Sequence, residues 1–361
     1  MTTRTAAEAC PHSGGRTCPR CSWSRPRDAV LLVVRGRTAR KALPVAAVVG
    51  TVLSLVNQGS VIAGGGATYG TWVRVAVNYL VPFLVASTGY LSGRRVRGPA
   101  VDWPGYVADY HERRSGITEQ ILGQAISQRG ETPYAWLVDL PLQDASGRIL
   151  DIACGSAPTR ELLRRPGWLG LDASMGELAA ASAGGRVPLL CARADVLPLP
   201  DATVDVVCAA MCLQVLTPVD SVLAEVRRVL RPGGTLVALV PSRVSPLEVW
   251  HHRSGIVAWV RVMRALRVRS EPWPNPRARD DLPGLLRGQG FLIDSDRRCV
   301  FRRETVGATD AELMIDGLYL PGVESEAIAR AKGLLAGWAR PGRFLPLPLR
   351  RVVAHLPHDR H

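Results

Sequence analysis

Charge is missing from one long stretch of this chain. Between Lys41 and Arg94 the only Asp, Glu, Lys or Arg is Arg74, and neither of the two apolar runs there shows a polar face, which argues against an amphipathic hairpin lying on a soluble core. Acidic excess is missing too. The chain carries a formal net charge of +14, and residues 1–41 hold nine Lys or Arg against Glu8 and Asp28. A basic excess beside an uncharged apolar block is what the anionic cytoplasmic leaflet attracts, so a membrane is the expected partner and nucleic acid is not. Secreted-disulfide character is absent. Eight cysteines lie at positions 10, 18, 21, 154, 191, 208, 212 and 299, a distribution that suits a reducing compartment. A small-residue cleavage site ahead of polar sequence is lacking as well, so the apolar block is expected to be retained rather than removed as a signal peptide.

What is present in that block is length. About 20 apolar residues cross the hydrocarbon core of a bilayer, and residues 42–63 and 72–92 each supply that, joined by the Gly-rich stretch Gly64-Gly65-Gly66-Ala67-Thr68-Tyr69-Gly70. Arg35, Arg37, Arg40 and Lys41 precede the first run, and Arg94, Arg95 and Arg97 follow the second. The positive-inside rule then puts both flanks, both termini and everything downstream on the cytoplasmic face of the cell membrane. Polar groups at membrane depth are costly unless they pair or line a water-filled path, which makes Asn57, Gln58, Arg74 and Asn78 the candidate transport residues. Arg40-Lys41-Ala42-Leu43, Val48-Val49-Gly50-Thr51, Val56-Asn57-Gln58-Gly59 and Asn78-Tyr79-Leu80-Val81-Pro82-Phe83 resemble the small NrtS-type nitrate/nitrite transporters. The resemblance implies a two-span unit that passes nitrate or nitrite. Two helices enclose no pore alone, so transport would require a homo-oligomer, with Arg74 supplying positive charge to an anion path.

Ahead of the spans, Cys10, His12, Cys18 and Cys21 place four possible ligands within twelve residues. A C-P-x-C turn presents two thiolates to one metal, so a structural zinc knuckle is one reading of this leader; the other is a disordered basic segment with free thiols.

From Gly147 onward the pattern alternates strand and helix. Arg148-Ile149-Leu150-Asp151 is an apolar strand ending in a carboxylate, followed by a small-residue turn at Cys154-Gly155-Ser156-Ala157. Trp168-Leu169-Gly170-Leu171-Asp172 ends in a second acid, 21 residues after the first. In a βαβ unit the ligand lies at the carboxyl ends of the strands, and such an acid can accept both ribose hydroxyls. Only one of the three glycines of a dinucleotide fingerprint is present, which weakens a nicotinamide reading. Leu197-Pro198-Leu199-Pro200-Asp201, then Val204-Asp205-Val206-Val207, then Glu225 through Gly234 follow in order, and with the two acids they resemble the class I S-adenosylmethionine-dependent methyltransferases of the type 11 group over residues 147–241.

That resemblance implies a Rossmann-like α/β domain with a seven-stranded sheet and S-adenosylmethionine as cofactor. It assigns Asp151, Ala153, Gly155, Ser156 and Ala157 to the methionine moiety, Asp172 to the ribose, and Ala194 and Asp195 to the adenine, while Gln214 faces the reacting methyl. Ala153 and Ala157 stand where the family uses glycine, and Arg193 where many members place the adenine-contacting acid. Asp205 reads as a cap on its strand. Methyl transfer from a sulfonium is an in-line displacement, so a base is needed only where the acceptor carries a proton; Tyr106, Tyr110 and His111, in the lid segment ahead of the first strand, are the candidates. Residues 247–266, with Trp250, His251, His252 and Trp259, are expected to wall a small-molecule or lipid acceptor. Adjacent histidines on a helix diverge, so they hold no shared ion. The predicted organisation is a basic Cys-rich leader (1–34), a two-span unit (35–97), and a methyltransferase domain with a lid helix and a C-terminal helical extension (98–361).

Overall fold

The computed structural model describes residues 37–93, 101–139, 147–243, 251–268 and 271–358. The four candidate ligands of the leader therefore lie outside the described residues, as do Arg35, Arg94, Arg95, Arg97 and Trp250. The chain divides into two units between Ala100 and Val101.

The first unit is a pair of helices, α1 (Arg37–Ala63) and α2 (Tyr69–Gly93). The turn between them is closed by Gly64 N–H on the Ser60 carbonyl at 3.0 Å and by Gly65 at φ +69. Among the described residues one helix, Ala42–Ala63, is long and apolar enough to cross a bilayer. The outward apolar side chains are unusually bare, Val56 being 77 % exposed; a surface of that kind marks a membrane or partner-facing segment. The helices meet at Gly50, where an added Cβ would lie 2.4 Å from the Tyr79 ring. Alongside, Thr51 and Tyr79 share a 2.9 Å hydroxyl hydrogen bond, and Asn78 Nδ2 donates to Ser54 Oγ at 3.3 Å. Overpacking a tight contact costs about 1–3 kcal/mol, so Gly50→Leu is expected to weaken the pair by that amount, seen as a lower thermal midpoint by circular dichroism in micelles.

The four candidate transport residues do not share one environment. Gln58 is buried and Asn78 is bonded between the helices, whereas Asn57 and Arg74 are exposed. Adjacent positions on a helix point about 100° apart, which is why Asn57 and Gln58 diverge.

The second unit is built on a mixed sheet of eight strands: β1 (Ala125–Ile126), β2 (Ile149–Ile152), β3 (Trp168–Asp172), β4 (Leu189–Cys191), β5 (Val204–Ala210), β6 (Leu230–Pro241), β7 (Leu292–Glu304) and β8 (Phe344–His355). Their order is β1-β7-β8-β6-β5-β2-β3-β4. The pairs from β4 through β6 are parallel, and β8 enters antiparallel between β6 and β7. Seven strands are predicted from the sequence; the eighth is β1, whose two residues pair with Arg302 and Arg303 at the sheet edge. A two-residue strand has too few positions for any alternation to show.

All four residues of β2 are buried, as expected of a central parallel strand covered on both faces. Helices α3 (Trp103–Arg113), α4 (Ile117–Leu122), α5 (Pro133–Val138), α6 (Thr159–Leu162), α7 (Met175–Ala183) and α8 (Val219–Val229) accompany this half. Helix α8 shows the logic: Val222, Leu223, Val226 and Val229 fall at i, i+1, i+4 and i+7, and all are buried against the sheet. A second group, α9 (Arg253–Ala265), α10 (Pro276–Asp280), α11 (Leu282–Gly288), α12 (Ala308–Asp316) and α13 (Ser325–Trp338), follows. Helices α9, α12 and α13 form a core of their own around Val262, Leu266, Met314, Ile315 and Leu335.

Asp205 ties the sheet together and does not reach the ligand side. Its Oδ2 accepts Arg148 N–H at 2.7 Å and its Oδ1 accepts Arg231 Nη1 at 2.7 Å.

Candidate active site

The carboxyl ends of β2, β3 and β4 open into a cavity. Asp151, Ala153, Gly155, Ser156, Asp172, Ala194 and Asp195 line it from the sheet side, and Val107, His111, Thr118 and Tyr319 from the lid side. Ala157 does not reach it: the residue is fully buried beneath the loop, its N–H bonded to the Cys154 carbonyl at 2.9 Å.

The loop after β2 owes its shape to three left-handed residues, Ala153 (φ 47), Gly155 (φ 55) and Ala157 (φ 57). Only glycine adopts that region without penalty, and each alanine there costs on the order of 1 kcal/mol. The two alanines noted as departures thus occupy positions whose backbone asks for glycine, and tertiary packing holds them. Asp172 does much of the holding. Its Oδ2 accepts Gly155 N–H at 2.8 Å and its Oδ1 accepts Ser174 N–H at 2.8 Å; burial nonetheless pushes its pKa upward.

Asp151 is 1 % exposed. Its Oδ2 accepts the Thr159 hydroxyl, its Oδ1 has no partner among the described residues, and burial raises its carboxyl to about 7. A buried acceptor without a donor, in a residue that lines the cavity, matches a ligand that brings a cationic N–H. The amino group of S-adenosylmethionine is such a donor, and the small-residue loop leaves its backbone approachable, so the residues present fit this cofactor.

The adenine end is less open than the sequence suggested. Arg193 clamps Asp195 through Nε to Oδ1 at 2.9 Å and Nη2 to Oδ2 at 2.7 Å, which lowers the Asp195 pKa and engages one lone pair on each of its oxygens. Exposed pairs of this kind are worth about 0–1 kcal/mol. Arg193→Ala is therefore expected to raise S-adenosylmethionine affinity about threefold by freeing an acceptor for the adenine amino group, as read by calorimetry.

The lid residues divide. Tyr110 lines neither this cavity nor the one described below: its hydroxyl donates to the Asp316 carbonyl at 2.7 Å, and burial raises its pKa. Tyr106 Oη accepts Leu320 N–H at 2.8 Å, so α3 clasps the segment after α12. His111, by contrast, reaches the cavity, with Nδ1 2.7 Å from Glu177 Oε1 and Nε2 2.8 Å from Tyr319 Oη.

Gln214 faces elsewhere. Its Nε2 donates to the Met211 carbonyl at 2.6 Å, its Oε1 is buried without a partner, and the residue lines a second cavity of about 670 Å³. That cavity is walled by Ile256, Trp259, Met263, Met314, Leu345 and Leu347, with Glu271 and Arg279 among its few charges. Burial pushes Glu271 up to about 7, with Arg279 opposing. Thr118, Met211 and Tyr319 line both cavities and so form their boundary.

Glu177 and Tyr319 line the cavity and bond His111 but do not belong to the sequence-based candidates. Ser174-x-x-Glu177 carries a capping signature, and Ser174 Oγ does accept Glu177 N–H at 3.2 Å. The Glu177 carboxylate, however, turns to His111 and to Gly116 N–H at 2.9 Å, where a capping box would return it to the backbone of Ser174. Tyr319 lies 208 residues from His111, and no local signal connects them. Among the described residues no cluster of three or more His, Cys, Asp or Glu is able to hold a metal.

Comparison with known proteins agrees with this geometry. Residues 150–238 match the family model described as methyltransferase domain, and the C-terminal part of the chain contains a class I S-adenosylmethionine-dependent methyltransferase domain. Over 164 residues the chain is 33 % identical to malonyl-[acyl-carrier protein] O-methyltransferase of Alcanivorax borkumensis, covering 43 % of this chain and 50 % of that protein. Over 113 residues it is 37 % identical to the ubiquinone/menaquinone biosynthesis C-methyltransferase UbiE of Burkholderia mallei, covering 28 % of this chain and 46 % of that protein. The chain thus spans about half the length of the curated relatives it matches. Among solved structures it is similar to the [4+2]-cyclase SpnF, with a TM-score of 0.44 at 18 % identity, covering 70 % of this chain and 96 % of that one.

Proposed function

We propose that this chain is an S-adenosylmethionine-dependent methyltransferase acting on a large apolar acceptor, tethered to a membrane by its N-terminal helix pair. The observation that carries this reading is the pair of cavities sharing Thr118, Met211 and Tyr319: one fits the cofactor, and the other is larger and walled mainly by apolar side chains. Bound S-adenosylmethionine supplies an electrophilic methyl group, its sulfur leaving with the bonding pair. The protein's part is positioning. Asp151 and the 153–157 loop hold the methionine end and Asp172 the ribose, while Trp259, Met263 and Leu347 exclude water from the acceptor. An apolar acceptor gives the tether a purpose, since a lipid-soluble substrate is concentrated in the bilayer. The resemblance of residues 35–95 to NrtS-type transporters further supports nitrate or nitrite passage by an oligomer of the helix pair, with both termini cytoplasmic.

Incubating the full chain with methyl-labelled S-adenosylmethionine and a cell extract tests the reading. Label is expected in the lipid fraction. Label confined to water-soluble metabolites would remove the apolar acceptor. The clamped Asp195 favours a second reading, a transport protein whose domain senses S-adenosylmethionine without catalysis; it predicts binding with no transfer to any component.

A further inference from the structure

Three side chains from separate elements form one hydrogen-bonded line that runs along the first cavity and reaches its boundary with the second at Tyr319: Glu177 on α7, His111 on α3, and Tyr319 in the segment between α12 and α13. The Glu177 carboxylate is 3 % exposed, so it meets the imidazole away from bulk water. A carboxylate only accepts, which places the imidazole hydrogen on Nδ1 and leaves Nε2 as an acceptor. Tyr319 Oη–H then donates to Nε2, and the phenolic oxygen keeps lone pairs for a further donor. The Tyr110 ring, 4.6 Å from that of Tyr319, packs against it and holds it in place. Asp151, Asp172 and the 153–157 loop are the groups that hold the cofactor, and this line borders the same cavity from the lid side.

Resting on the methyltransferase reading, we propose that Tyr319, His111 and Glu177 form a proton relay for the hydroxyl of an apolar phenol or enol bound in the second cavity. The acceptor's O–H bond breaks and its proton passes to Tyr319 Oη, while the proton of Tyr319 passes to His111 Nε2. The resulting imidazolium is stabilised by the Glu177 carboxylate. The acceptor oxygen retains the electron pair, which then forms the new bond to the methyl carbon directly or through its conjugated carbon. A hydroxyl is the acceptor class that needs such a device: a neutral amine attacks with its own lone pair, and a thiol ionises near neutral pH. Burial pushes the Tyr319 phenol well above its ordinary value, so it hands protons on and does not rest as an anion. Tyr319 touches the acceptor and is the catalytic residue; His111 and Glu177 act through it.

The test uses the full chain in detergent micelles, saturated with S-adenosylhomocysteine so that no turnover occurs, and titrated with 1-naphthol at neutral pH. Bound naphthol is expected to show the naphtholate absorption band over a micelle blank. Tyr319→Phe and His111→Gln, each saturated with S-adenosylhomocysteine at its own measured affinity, are expected to reduce that band at least tenfold. Naphthol bound only in its neutral form, a band of equal size in either variant, or no naphthol binding would each overturn the relay. A chain that does not bind S-adenosylhomocysteine would overturn the methyltransferase reading itself, whatever the naphthol shows.

Discussion

Asp172→Ala is expected to reduce S-adenosylmethionine affinity at least about a hundredfold, or roughly 2.7 kcal/mol. Two losses combine. The first is direct, because the ribose hydroxyls lose the carboxylate at the end of β3. The second acts through the backbone: Gly155 N–H and Ser174 N–H both lose their acceptor. Bonds to a charged group contribute about 1.5–3 kcal/mol each, and the first of these pins a loop already strained at Ala153 and Ala157. Asp172→Asn keeps one oxygen of similar shape and is expected to fall between the two. Calorimetry on the full chain provides the measurement. An affinity for Asp172→Ala within threefold of the wild type would remove Asp172 from the ribose site.

Asp151→Asn is expected to act in opposite directions on stability and on binding. The native carboxyl titrates near 7 because burial outweighs its bonds to Thr159 and Cys208, whereas in the unfolded chain it returns to its ordinary 3.8. Between those values the native state binds more protons than the unfolded state, so this group makes unfolding easier as pH rises from about 4 to about 7 and adds nothing further above that. The whole effect is on the order of 4 kcal/mol. Asn carries no charge, so the ligand-free variant is expected to be more stable than wild type at pH 8 and to lose that pH dependence, as followed by urea unfolding. Binding runs the other way. A cationic amino group is met by the ionised carboxylate, so wild-type affinity is expected to fall about tenfold per pH unit below 7, and Asp151→Asn to bind weakly at every pH. Equal affinity of wild type and variant at pH 8 would separate Asp151 from the methionine end of the site.

How much of this was legible depends on how far apart the interacting residues lie. Asp151, Gly155 and Asp172 sit at strand ends that period and turn chemistry mark locally, and all three line the cavity. Its place in the loop suggests Ala157 as a cofactor contact, yet one position's rotation along a tight turn sends it into the core. Tyr110 and His111 are neighbours on one helix and face different surroundings, one bonded to Asp316 and the other to Glu177 and Tyr319. Family resemblance places Gln214 at the reacting methyl, but its side chain turns back to the Met211 carbonyl and lines the second cavity.

The uncharged helix pair, the alternating strand and helix from Gly147 onward, and the two acids at adjacent strand ends are readable from residue order, because each depends on contacts within a few residues or on a repeating period. The second cavity and the line from Glu177 through His111 to Tyr319 were decided by tertiary structure alone. They join elements up to 208 residues apart, and only the packing of α9, α12 and α13 beside the sheet, together with the clasp of α3 on residues 316–320, brings those side chains within hydrogen-bond distance.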